Sequence, residues 1–353
     1  MQEEFNEENP GAPLPPFYKR WSFRYLLIAC LALLATAIGA AFYKNHPDLD
    51  NISYTADTDF KAGGPKATLI LGNGFKISLT AQSRGEIDVQ QGVRIRQING
   101  ELIYELNRGL SDADTSRQVT ETSAVADNEI FTPRGGTYKL VLADGTKVWL
   151  NAASSLRYPA KFSDTARIVE LKGEAYFEIA KTGHSPFKVK VAKQIIEAEN
   201  ANFNISTYAD DHFSSITLVS GQARLMSPEK LEEFRAQGLE KRIVLEPGEQ
   251  AVLDQKGLKL EKVHPEEAVS WKNGYFQFNN ASLKNVMRQM SRWYDADVIY
   301  EGEVPDLKFS GEVRREASAS TFLEMMAYLK LRFKIRKMED GRREVVVRPA
   351  KSK

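Results

Sequence analysis

Cysteine, histidine and unbalanced charge are scarce in this chain, and each scarcity removes a class of function. One cysteine, Cys30, occurs in 353 residues. That leaves no internal disulfide and no thiolate cluster for zinc. The four histidines, His46, His184, His212 and His264, are scattered, with no second His or Cys at ligand spacing. They read as surface residues, not as a metal centre. Lys plus Arg number 48 against 47 Asp plus Glu, a net charge of +1. With no basic stripe interleaved with aromatics, direct nucleic-acid binding is disfavoured. There is no Gly-x-Ser-x-Gly elbow, phosphate loop or dinucleotide fingerprint, because Gly72-Asn73-Gly74 lies in a hairpin pattern. Asp210-Asp211 could hold a cation or assist acid/base chemistry, but its setting reads as a solvated loop. The expectation is a protein that is not an enzyme, with no metal and no cofactor.

What the chain does contain is one long apolar run. Residues 25–43 are uncharged over 19 positions, close to the roughly 20 that a helix needs to cross ~30 Å of hydrocarbon. A cleaved leader would have a shorter apolar region, with Ala35-Thr36-Ala37 or Gly39-Ala40-Ala41 as the site of cleavage. A lipid anchor at Cys30 would leave only five apolar residues after Arg24. The run therefore reads as a transmembrane helix over 21–43. Lys19, Arg20 and Arg24 precede it, which places the N-terminus in the cytoplasm and the bulk of the chain beyond an inner membrane. Residues 1–20, acidic and then proline-rich, read as a short cytoplasmic tail. Residues 44–66, ending in Ala62-Gly63-Gly64-Pro65, read as a periplasmic linker.

From residue 67 to 263, short β-branched and aromatic runs alternate with turn dipeptides, which predicts an antiparallel all-β domain. Asn99-Gly100, Asp144-Gly145 and Lys172-Gly173 each stand between two such runs and are expected to turn hairpins. Strands are also expected over 187–191, 194–198, 203–206, 215–219, 223–226 and 250–253. An echo at an offset of 71 sets Leu69, Leu71, Gly74, Lys76 and Leu79 on Leu140, Leu142, Gly145, Lys147 and Leu150. It suggests two copies of one hairpin unit. Residues 228–240 read as a helical insertion. Over 271–348 the order becomes β-α-β-β-α-β plus a final strand, which predicts a small split βαβ sandwich. Its first helix carries Leu283, Val286, Met287, Met290 and Trp293 at helical spacing after a cap at Asn280 or Ser282. Its second starts from a capping box at Thr321 and Glu324. Trp293-Tyr294 could form a stacking platform, although an aromatic pair ending an amphipathic helix more often packs in a core.

The runs TPRGGTYKLVLADGTKVWLNAASSLRYPAKF, RIVELKGEAYFEIAK, SPFKV, ITLVSGQARL and LEPGEQAVL resemble the periplasmic domain of FecR-type transmembrane regulators, the anti-sigma proteins of cell-surface signalling. WKNGYFQFNNASLKNVMRQMSRWYDADVIYEGEVPDLKFSGEV resembles the C-terminal domain found in many of them, similar to the short N-terminal domain of secretins and TonB-dependent receptors. The matches run in order over residues 131–348. The resemblance implies a mainly β FecR-like domain over 67–263, with 67–130 a first hairpin copy and 131–263 the core match. An α+β domain over 271–348 follows. It further implies two partners, an extracytoplasmic-function sigma factor inside and the signalling domain of a TonB-dependent outer-membrane transporter outside. Phe276, Phe278, Trp293, Tyr294, Phe309 and Gly311 are then candidate partner-binding residues. The segments 276–278 and 307–311 are then candidate edge strands for a partner, the alternative being that the fold covers them fully. The sequence departs from the family in having only residues 1–20 before the span, and in the run Glu199-Asn200-Ala201-Asn202-Phe203-Asn204, where a Gly-Thr pair commonly precedes the Phe-Asn strand. The competing reading is a periplasmic envelope binding or scaffolding protein with no sigma-factor role.

Overall fold

Period-two burial builds this fold. The Val93–Ile98 strand alternates strictly between buried and half-buried side chains, as a sheet with one face on a core requires. The structure is a computed structural model that describes residues 33, 34, 36, 52, 53, 58–106, 126–181, 185–192, 194–226 and 243–349. The expected tail, most of the expected span, Cys30, His46, His184 and the expected helix over 228–240 lie outside the described residues. Among the described residues no helix is long and apolar enough to cross a membrane. Residues 52–353 form one compact unit and residues 1–51 a second.

The larger unit opens with β1 (Ile52–Ser53), β2 (Gly64–Ile70), β3 (Lys76–Thr80), β4 (Gly85–Gln90), β5 (Val93–Ile98) and β6 (Glu101–Leu106). It continues with β7 (Asn128–Thr132), β8 (Gly136–Val141), β9 (Lys147–Leu150), β10 (Ser154–Tyr158), β11 (Arg167–Glu178) and β12 (Phe187–Val191). Then come β13 (Gln194–Thr207), β14 (Ser214–Met226), β15 (Ile243–Leu245), β16 (Glu249–Asp254), β17 (Gly257–Lys262) and helix α1 (Pro265–Val269). The last part holds β18 (Tyr275–Ser282), α2 (Leu283–Tyr294), β19 (Asp297–Tyr300), β20 (Lys308–Arg314), α3 (Ala319–Glu324), β21 (Leu331–Lys337) and β22 (Arg343–Pro349).

Strands β2 to β17 form one continuous sheet that encloses a core around Leu69, Leu140, Leu156, Phe177 and Phe203. Most neighbours are antiparallel, but β2–β8, β6–β8 and β11–β12 pair in parallel, contrary to a purely antiparallel domain. The hairpins expected at Asn99-Gly100 and Asp144-Gly145 form. The echo at offset 71 is structural. Ile70 pairs with Lys76 as Val141 pairs with Lys147. Asn73 and Asp144 each accept a backbone N–H from two residues on, at 3.1 and 2.9 Å.

Lys172-Gly173 does not turn a hairpin. Residues 167–178 are one strand whose first half pairs with β10 and β12 and whose second half pairs with β9 and β13. Gly173, at φ +86°, sits where the partners change, and a Cβ there would lie 2.5 Å from Ser154 Oγ. The short strands expected at 194–198 and 203–206 are likewise one strand, as are 215–219 and 223–226. Their kinks face each other. Asn200 has φ +46°, and a Cβ on Gly221 would lie 2.0 Å from the Asn200 carbonyl oxygen. Asn200 thus takes the left-handed conformation that asparagine tolerates.

The C-terminal part has the expected element order but not a single split sheet. Among the described residues β18 pairs only with β20, while β1-β21-β22-β19 make a second sheet. Its core gathers Phe276, Phe278, Met287, Tyr294, Phe309, Phe322 and Phe333 between them. Ser282 caps α2 by accepting the Asn285 N–H. Helix α3 is capped by Ser318, not by Thr321, which lies in its first turn. The end of the expected linker is not a spacer, because Phe60 is 3% exposed in this second core. Asp59 there accepts the N–H and hydroxyl of Ser320 at 3.0 and 2.7 Å.

Candidate functional site

The apolar stripe of α2 faces the C-terminal core, so Arg288 and Arg292, one turn apart on the opposite side, would ordinarily be solvated. They are covered by the β-domain. In the loop between β13 and β14, Asp210 and Asp211 meet them. Arg292 Nη1 donates to both oxygens of Asp210 at 3.0 Å, and its Nη2 donates to Asp211 at 3.1 Å. Arg288 Nε donates to Asp211 at 2.5 Å. The Arg292 guanidinium also lies 3.8 Å from the Tyr208 ring, whose hydroxyl donates to the Ala152 carbonyl at 2.7 Å. Burial alone would lower the Arg292 pKa, but Tyr208, Asp211 and Asp210 outweigh it and the net shift is upward. The acidic pair is therefore half of a clamp between the two cores, and only Asp210 keeps a solvated side chain, 59% exposed against 6% for Asp211.

Beside this clamp stands a second polar group. The Glu174 carboxylate accepts from Asn151 and Asn204 at 2.7 and 3.0 Å. Desolvation raises its pKa despite those bonds and the nearby Arg292 and Arg315. Asn151 in turn accepts from Arg315 Nη2 at 2.8 Å, and Asn204 accepts from Trp271 Nε1 at 3.1 Å. Arg315 is stacked 3.8 Å from the Trp293 ring, and burial lowers its pKa to about 10. Tyr138, hydrogen-bonded to Gln97, is raised to about 12 by burial.

A third contact closes the seam from the β7–β8 turn. Arg134 donates to Asp297 Oδ1 and the Ala296 carbonyl at 2.7 Å each. The Gly135 N–H donates to the Arg292 carbonyl at 2.7 Å. Gly63 must be glycine here, since a Cβ would lie 2.6 Å from the Gly135 oxygen and 2.8 Å from the Trp293 ring.

Of the residues singled out from sequence, Phe276, Phe278, Tyr294 and Phe309 have buried side chains in the second core. There Phe276 meets Phe322 edge-on at 5.1 Å and Phe278 meets Phe309 at 5.6 Å. Trp293 lies at the seam, 6% exposed. Gly311 is half-buried against the Phe309 ring. None of the five aromatic side chains is presented to solvent. The backbone edges named with them differ, since β18 and β20 pair with no third strand among the described residues. His212 and His264 are exposed. Among the described residues no three His, Cys, Asp or Glu side chains are placed to hold a metal ion. Arg134, Glu174, Arg292 and Arg315 had no sequence signal, because their partners are remote along the chain.

Comparison with known proteins places two family matches on these two cores. Residues 128–224 match the family described as FecR protein, and residues 275–344 match FecR, C-terminal. Two crystal structures of a candidate anti-sigma factor from Parabacteroides distasonis ATCC 8503 are similar to this fold, with TM-scores of 0.54 and 0.55. Each is 25% identical over 63% of this chain and 99% of that one. No curated protein matches the chain.

Proposed function

We propose that this chain, a member of the FecR family through its FecR domain and FecR C-terminal domain in tandem, is an anti-sigma regulator of cell-surface signalling. The tandem match carries the reading. The likeness to the Parabacteroides distasonis protein over 99% of that chain supports it. In this reading the chain is a single-pass inner-membrane protein, with its N-terminus in the cytoplasm acting on an extracytoplasmic-function sigma factor. Its periplasmic bulk meets the signalling domain of a TonB-dependent transporter.

The geometry supports a docking mode for that partner. Among the described residues β18 and β20 each leave one edge with no strand partner, and such an edge is where an added strand docks. The strand β1, directly after residue 51, pairs in parallel with β21, and α2 bears on the β-domain through Arg288 and Arg292. A partner that binds one arrangement of this seam better than another biases the whole exterior, which is the thermodynamic requirement for a relay.

The test is to crosslink the full-length protein in its native membranes, purify it by affinity and identify every retained protein. Recovery of a sigma factor together with a TonB-dependent transporter is expected. Recovery of neither would overturn the reading.

A further inference from the structure

Three of the four tryptophans in the chain, Trp149, Trp271 and Trp293, line one cleft of about 470 Å³ between the β-domain and the C-terminal core. Trp149 and Trp271 are half-buried; the Lys139 and Lys272 ammonium groups lie 5.1 and 4.7 Å from the Trp149 ring, so a ligand ring would take the place of a flexible lysine there. The volume lies within the roughly 300–1,000 Å³ of small-molecule sites, and indole faces stack on flat or ring-shaped bodies.

The charges sort themselves. Lys139 pairs with Glu101 at 2.6 Å. Lys272 lies over the Trp149 and Tyr176 rings at 4.7 and 4.5 Å and pairs with Glu178 at 3.7 Å. Arg315 differs. It is 5% exposed and lines the cleft, yet its guanidinium makes one side-chain hydrogen bond, to Asn151, and its Nε has no partner among the described residues. A guanidinium carries five N–H donors in a fork that fits a carboxylate. Gly274 also lines the cleft, and a Cβ there would meet nothing within 4 Å.

We propose that this cleft binds a small ring-bearing carboxylate, its ring against Trp149 and Trp271 and its carboxylate on Arg315. The ring can come from an aromatic acid or from a sugar acid, and the two sources separate in the test. Such a ligand would touch both sides of the seam and brace them.

Tryptophan emission of the full-length protein in detergent is titrated with phenylacetate and with glucuronate, and with the neutral phenylacetamide and methyl glucuronate. Saturable binding of at least one acid is expected, about tenfold or more tighter than its neutral analogue, as a charge-assisted pair requires. Saturation by phenylacetate alone identifies an aromatic acid, and saturation by glucuronate alone identifies a sugar acid. Arg315→Gln is expected to weaken binding by about tenfold or more. Trp149→Leu, at a half-buried wall position, also weakens it, and it decides the matter if Arg315→Gln does not fold. The proposal fails if neither acid gives a saturable change up to about 10 mM, if acid and neutral analogue bind alike, or if a folded variant binds as the parent does. The assay contains no sigma factor or transporter, so its failure leaves the signalling reading untouched.

Discussion

Arg292 and Arg315 occupy the same seam with nearly the same exposure, 7% and 5%, yet they are opposite solutions to burying a guanidinium. Arg292 is held by two carboxylates and an aromatic face, and its pKa moves up. Arg315 has an aromatic face and a single amide partner, and desolvation moves its pKa down to about 10. Glu174 favours the charged form of Arg315 but reaches it through Asn151, so this guanidinium is buried with no carboxylate in direct contact, which costs free energy. The comparison assigns Arg292 to the clamp that joins the domains and Arg315 to a site with donors to spare.

The sharpest way to break this contrast is to remove each charge while keeping its bulk. Arg292→Met leaves Asp211, 6% exposed, with only Arg288. Breaking a buried pair by removing one partner costs about 3–5 kcal/mol, and a loss of that order is expected in chemical denaturation. Arg315→Met removes an under-bonded charge and keeps the contact with Trp293, so the loss expected by the same measurement is no more than about 1–2 kcal/mol. Equal losses would show that the two arginines do the same work.

Why neither arginine was legible in the sequence is a matter of distance. Arg292 meets Asp210 across 82 residues, and Arg315 meets Asn151 across 164. No local pattern reports such pairs. The apolar stripe of α2 was legible because helical spacing writes it into consecutive turns. That its opposite face is covered depends on a loop far earlier in the chain. The same limit shows in the strands. At Asn99-Gly100 both residues adopt positive φ, +51° and +78°, and a tight hairpin follows. Lys172-Gly173 has the same flanking pattern, but β9 and β13 supply partners for residues 174–178, so the chain runs straight on. The hairpins at 70–76 and 141–147 were legible as an echo because their register is set by their own turn residues. For Trp293 and Tyr294, helical spacing pointed to core packing, and both are buried. For Phe276, Phe278 and Phe309, strand alternation alone does not say which face is covered.

Glu174 supplies a subtler test, because it stands between the two arginines. Its ordinary pKa of 4.5 is raised in the folded state, chiefly by desolvation. As pH rises past 4.5, the unfolded chain releases this proton while the folded chain still holds it. This group therefore lowers the unfolding free energy with rising pH, until the folded-state pKa is passed and the effect levels off. Glu174→Gln cannot ionise and removes that part of the slope. Unfolding midpoints measured from pH 4.5 to neutrality in both proteins would show it, and identical slopes would mean that the carboxylate is solvated in the native state.

The smallest effect separates the two aspartates of the clamp. Asp210 binds both of its oxygens to Arg292, yet 59% of its side chain is exposed, and Asp211 supplies the enclosed contacts. Exposed ion pairs contribute about 0.2–1 kcal/mol because water screens them. Asp210→Ala is therefore expected to lower stability by no more than about 1 kcal/mol, and less at high salt. A loss that is as large as that of Arg292→Met and insensitive to salt would move the clamp from Asp211 to Asp210. The upward pKa shift of Arg292 would then rest on its solvated partner, and its contrast with Arg315 would be one of solvent access, not of counter-charge.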